Sequence, residues 1–221
     1  MALTFAIGDV HGCIDKLDAL IARCAEFAQG RGARFVMLGD YVDRGPDTRA
    51  VVQRLMDFDA ICLKGNHEDM LIEALDRGGR AELQWLANGA GPALASYGAQ
   101  TVHDIPSDHI EWIRALRLFH DDGRRFFVHA GIDFSLPLDR QDPQTMLWTR
   151  GGAEEPDPGR LIVHGHTPQT SGLPLRTPHR LNLDTAAVIG GPLTAAAFAD
   201  DRTPPLAFIT HEGRITKLAP G

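Results

Sequence analysis

The chain has 221 residues, 43% hydrophobic and 23% charged, enough apolar material for one substantial packed α/β domain and unlike a disordered chain. Its 22 basic and 29 acidic residues leave a net charge of −7, which argues against bulk binding to nucleic acid or to anionic membranes. Three cysteines (Cys13, Cys24, Cys62) lack metal-type spacing and suit a reducing cytoplasm, and no apolar run approaches a membrane span.

The first predicted strand, "LTFAIGD", stops at Asp9. An amphipathic helix follows over Ile14–Ala28, with Leu17, Leu20, Ile21, Cys24 and Phe27 on one stripe. "RFVMLGD" predicts a second buried strand ending at Asp40, then a weaker helix over Asp47–Phe58. "ICLKGNH" predicts a third strand delivering Asn66 and His67, with a helix over Glu68–Arg77. Glu68 is either plain N-terminal helix charge or a support for the site from behind. The stretch Gly78–Asp122 reads as helical and loop-like, with glycine hinges in "GGRAELQWLANGAGPALASYG". Within it, "PSDHIEWIRAL" predicts a helix capped by Asp108, with Glu111 closing a capping box.

"RFFVHAG" and "RLIVHGH" predict two more buried strands, delivering His129, then His164 and His166. The Pro/Gly-rich Gly151–Arg160 reads as a surface loop. From Arg180 onward, short runs between Gly, Pro and Asp turns predict antiparallel strands of a second sheet layer. The early β-α-β-α alternation implies a mainly parallel sheet, whose ligands gather at the carboxyl ends of its strands.

The polar residues at those ends form one set. Asp9 and His11 share "GDVHG", Asp40 lies in "GDYVD", Asn66 and His67 in "GNHE", His129 in "VHAG" and His166 in "HGHT". Carboxylate, imidazole and amide oxygen without thiolate suit Mn²⁺, Fe²⁺ or Zn²⁺ rather than a structural zinc cluster. Six of these as ligands, with one carboxylate shared, make a two-metal inventory. Ions about 3.5–4 Å apart can share a hydroxide and clamp the attacking and leaving oxygens of an in-line phosphoryl displacement.

In this order, "GDVHG", "GDYVDRG", "GNHE", "HAG" and "GHT" resemble the calcineurin-like metallophosphoesterases, and within them the phosphoprotein phosphatase family, especially its compact bacterial and phage members. The resemblance runs from Phe5 to "LNLDTAAVIGGPLTA". It implies a layered α/β sandwich, with two central mixed β-sheets flanked by helices, and residues 1–221 as a single catalytic domain. It also implies two divalent ions, Mn²⁺ foremost: Asp9 and His11 on the first, Asp40 bridging, and Asn66, His129 and His166 on the second. His67 would donate a proton to the departing alkoxide, oriented by Asp43. Arg44 and Arg150 would grip substrate phosphate, with Arg176 and Arg180 next in line. His164 reads as a strand residue near the site.

Ala90, Ala93 and Ala186 depart from residues usual in the family (glycine, threonine and glycine) without removing a ligand. The implied activity is hydrolysis of phosphoserine and phosphothreonine, with phosphotyrosine and small phosphate esters as further substrates. A diadenosine tetraphosphate hydrolase is the alternative, since such relatives look similar but commonly lack the second aspartate of "GDYVDRG". An inactive protein-binding scaffold is a third reading, at odds with a complete ligand set. The implied partner is a phosphoprotein or small phosphate ester.

Overall fold

The computed structural model describes residues 2–151 and 155–218; residues 152–154 of the expected Gly151–Arg160 loop lie outside the described residues. Two mixed β-sheets pack face to face and are flanked by helices. The first sheet has the order β11-β10-β9-β1-β2-β3, using β1 (Leu3–Ile7), β2 (Ala33–Met37), β3 (Ile61–Cys62), β9 (Thr194–Ala199), β10 (Ala207–Thr210) and β11 (Ile215–Lys217). The second runs β4-β5-β6-β8-β7, from β4 (Phe119–Asp121), β5 (Arg125–Val128), β6 (Leu161–His164), β7 (Leu175–Arg176) and β8 (Arg180–Asn182).

Strand alternation builds both faces of the first sheet. Leu3, Phe5 and Ile7 of β1 pack with Leu17, Leu20 and Cys24 of α1 (Ile14–Ala28), while Ala6 points the other way. There it meets Val36, Leu38, Phe127, Val163, Leu181 and Phe198, the layer sealed between the sheets. A third apolar cluster lies under α3 (Asn66–Arg77), α4 (Gly79–Trp85), α5 (Gly91–Tyr97) and α6 (Ser107–Ala115), centred on the fully buried Trp85. The remaining helices are α2 (Thr48–Met56), which Asp47 caps by accepting from the Ala50 N–H, and α7 (Pro143–Trp148). No helix among the described residues is long and apolar enough to cross a membrane.

Three expectations need correction. The late strands do not form one antiparallel layer: β8 is parallel to β6, and β9–β11 extend the first sheet beside β1. Both sheets are mixed, as the family resemblance implied: β9 is antiparallel to β1 in the first, and β4 and β7 are antiparallel to β5 and β8 in the second. Sheet membership depends on long-range partners that a short strand's own pattern does not encode. Asp108 does not cap α6, whose first turn begins earlier because the Ile110 N–H bonds the Pro106 carbonyl; the Asp108 carboxylate instead accepts from the His109 N–H. Finally, the third strand ends at Cys62, and α3 begins at Asn66, so Asn66 and His67 lie in its first turn rather than on a strand end.

Candidate active site

The carboxyl ends of β1, β2, β5 and β6, with the first turn of α3, converge on one buried cluster. Its backbone is strained. Seven non-glycine residues among the described ones have positive φ, and five of them are His11, Asp40, Asp43, Arg44 and His166. Left-handed conformations of this kind cost free energy and persist where surrounding structure enforces them. Two glycines show how closely the chain packs here. A Cβ on Gly65 would collide with the Asp40 carboxylate, and one on Gly165 with that of Asp9. Ala186 adopts φ 62, which explains why glycine would suit that position.

Asp40 lies at the centre. Its Oδ2 is 3.5 Å from His11 Nε2 and its Oδ1 is 3.3 Å from His129 Nε2. Carbonyls fix both imidazoles from behind: His11 Nδ1 donates to Val42 O at 2.8 Å and His129 Nδ1 to Leu38 O at 2.9 Å. Burial pushes His11 and His166 down to about 3 and lowers His129 as well, so these rings are neutral at pH 7, and with Nδ1 donating, Nε2 of His11 and of His129 carries a lone pair. The Asn66 amide oxygen is 2.9 Å from both His129 Nε2 and His166 Nδ1. The His129 Nε2 lone pair therefore faces the Asn66 and Asp40 oxygens, an arrangement that a cation between them would stabilise.

The surrounding charge points the same way. Burial, with Asp184 and Asp40 nearby, raises Asp9 well above the usual carboxylate range, and burial lifts Asp184 to about 6. Two triads bring their donor atoms close enough for one ion each: His11, Asp40 and His67, and Asp40, His129 and His166. The donor set is oxygen and nitrogen only, which fits a divalent cation of borderline hardness. Asp9 falls outside both triads; its carboxylate accepts the His166 N–H at 3.1 and 3.2 Å and lies next to the cluster through Gly165.

His67 faces two ways. Its Nδ1 is 2.7 Å from Asp43 Oδ2, a buried pair, while its ring meets that of His11 edge-on at 4.7 Å. Burial pulls its pKa down, but Asp40 and the Asp43 bond raise it above the ordinary imidazole value. Arg44 is exposed at the mouth and reaches His11 Nε2 at 2.9 Å. Arg150 is exposed just beyond Trp148, whose ring packs against His166, and its charge adds to the lowering of the His166 pKa. Of the reserve arginines, Arg180 is paired with Glu155 at 2.9 Å and Arg176 is exposed on β7. His164 is buried on β6 beside Gly165, with its Nε2 unpartnered.

Three residues gain importance that the motifs alone did not give them. Glu68 is far more than helix-end charge: its two oxygens accept from the N–H groups of Gly65, Asp40, Tyr41 and Val42, tying the Asp40 loop to α3. Trp85 donates to Asp43 from the far side. Asp184 ends an apolar run, as Asp9 and Asp40 do, so the signal that singled them out was present in "RLNLD" as well.

Residues 3–213 match the calcineurin-like phosphoesterase family model. The chain is 29% identical to serine/threonine-protein phosphatase 1 of Salmonella typhimurium, over 87% of this chain and 90% of that protein. It is 26% identical to the asymmetrical bis(5'-nucleosyl)-tetraphosphatase of Bacillus thuringiensis, over 89% and 91%. Among solved structures, a cold-active protein-tyrosine phosphatase of a Shewanella species superposes with a TM-score of 0.67 at 20% identity, covering 98% of this chain and 80% of that one, a likeness of fold. The match across nearly the whole chain agrees with the metal-capable cluster at the strand ends: the chain belongs to the calcineurin-like phosphoesterases.

Proposed function

We propose that this phosphoesterase is a phosphomonoesterase of the phosphoprotein phosphatase type, with residues 1–221 acting as one catalytic domain on phosphoserine and phosphothreonine. The observation that carries the reading is the buried 2.7 Å bond between His67 and Asp43 beside the metal-capable cluster. A serine alkoxide is a poor leaving group and needs a proton as the P–O bond breaks. Asp43 holds Nδ1 of His67, which leaves Nε2 free to give that proton, and the bond to the carboxylate favours the protonated ring.

In this reading Asp9 and His11 would hold one divalent ion, Asn66, His129 and His166 would hold the other, and Asp40 would be shared between them. Mn²⁺ is the best match to the donors, followed by Fe²⁺ and Zn²⁺. When bound, such ions activate water and neutralise charge on the phosphoryl oxygens. Arg44 and Arg150 at the mouth add charge-assisted contacts to the phosphate, and burial of the cluster keeps bulk water away from His67.

The second reading, a dinucleoside tetraphosphate hydrolase, is favoured by relatives bearing that name. Those of the symmetrical type match over only 44% of their own length. Chemistry favours the monoester: cleaving a phosphoanhydride expels a phosphate, which leaves without a proton, so the Asp43–His67 pair would have little to do. The purified, metal-loaded protein should therefore show a higher kcat/KM on a phosphoserine peptide than on diadenosine tetraphosphate. The reverse order would overturn the monoesterase reading.

A further inference from the structure

Asp43 has a second partner besides His67. The indole Nε1 of Trp85 lies 3.0 Å from both Asp43 oxygens, and this is its hydrogen-bonding contact in the structure. Trp85 is fully buried at the end of α4, packed in the apolar cluster that fills the helical layer. Immediately after it the helix kinks across Leu86–Ala90, where Gly89 adopts a non-helical φ of 107° before α5 begins. The Gly89 carbonyl accepts from the Arg44 N–H at 2.8 Å. One bent segment thus grips two neighbouring residues, Asp43 by its side chain and Arg44 by its backbone. Both have left-handed φ, 69° and 65°, and need such external hold. The kink at Gly89, in a conformation glycine adopts readily, lets Trp85 and Gly89 face the same loop.

We propose that Trp85 is a positioning residue for the leaving-group acid, its indole N–H fixing the Asp43 carboxylate that in turn aims the His67 imidazole. This rests on the general-acid reading of His67. A fully buried tryptophan that only packed would fill volume; this one also places its single donor between both oxygens of a buried carboxylate. Without it, Asp43 keeps one bond, to His67, and is free to rotate about it. The imidazole then loses its fixed direction, while the metal-capable residues keep theirs.

The test uses the full, metal-loaded protein with Trp85→Phe, which retains most of the aromatic volume and removes the donor. Turnover of a phosphoserine peptide should fall about ten-fold, the worth of one hydrogen bond to a charged group, with p-nitrophenyl phosphate much less affected and metal content unchanged. In an Asp43→Asn background the same substitution should add little, because the two side chains act as one unit. Leu94→Ala, in the same apolar cluster, is the control for lost packing and should not change the substrate ratio. Site-specific 3-benzothienyl-alanine, which keeps the bicyclic shape but lacks the N–H, should reproduce Trp85→Phe and covers the case in which that variant does not fold. Equal losses on both substrates, or a full ten-fold loss added to Asp43→Asn, would reduce Trp85 to a packing residue. His67→Asn separates the two levels: if it shows leaving-group selectivity and Trp85→Phe does not, this inference alone falls. If His67→Asn shows none, the general-acid reading falls with it.

Discussion

Replacing His67 by asparagine is expected to slow hydrolysis of a phosphoserine peptide by about 10²–10⁴-fold, the usual contribution of a positioned general acid. Nitrophenyl phosphate should lose far less, because nitrophenolate departs without a proton. Asparagine approximates the ring's near edge but has no proton to give at pH 7. The selectivity follows from the geometry, in which Asp43 occupies Nδ1 and leaves Nε2 toward the cluster. The pH profile should agree. The donor must be protonated, so alkyl-ester turnover falls as pH rises through the His67 pKa. Burial lowers that pKa, and the bond to Asp43 raises it. Asp43→Asn removes one of those contributions, so its alkaline limb should move to lower pH. Steady-state kinetics on both substrates and metal analysis of the variant check this together. Loss of a metal ion in His67→Asn would instead place His67 among the ligands, a role its triad with His11 and Asp40 accommodates.

Asp40→Asn is the second large effect. The Asp40 oxygens lie between His11 Nε2 and His129 Nε2, and Oδ1 also accepts the His67 N–H at 3.1 Å. Asparagine has one oxygen for these tasks, and its NH₂ would donate to a bare imidazole nitrogen, occupying a lone pair meant for a cation. Both ions should be weakened at once, with a loss of activity beyond the about 10–100-fold typical of changes outside the ligand set. Metal content by elemental analysis and phosphatase rate are the readouts. A variant that retained both ions and near-normal rate would show that Asp40 does not join them.

How far the sequence could be read depended on how local each cause is. The central strands were legible because strands buried on both faces read as short continuous apolar runs, and each ended at its Asp or His. Helix α1 was legible from its apolar stripe alone. The assignment of β9–β11 to the first sheet was not, since "LTAAAFA" is a near-continuous apolar run that suits either layer. The left-handed backbone at His11, Asp40, Asp43, Arg44 and His166 was also hidden, because none of these is glycine and strain enforced by neighbours leaves no compositional mark. Trp85 reads as an ordinary core aromatic at helical spacing; its bond to Asp43 exists only because the kinked segment after α4 and the strand-end loop meet in three dimensions. Glu68 was visible as a helix-start acid, but its four backbone donors come mostly from a loop more than 20 residues away in sequence.

The measurement that bears most directly on the central claim is phosphatase activity on a phosphoserine peptide across a divalent-metal titration. The protein would first be stripped by exhaustive chelation, with its metal content verified by elemental analysis. Lone pairs converging around Asp40, neutral imidazoles and unneutralised buried carboxylates predict that the stripped protein is inactive. Activity should return as Mn²⁺ is added, saturating near two ions per chain. Undiminished turnover by protein verified to be metal-free would contradict the account.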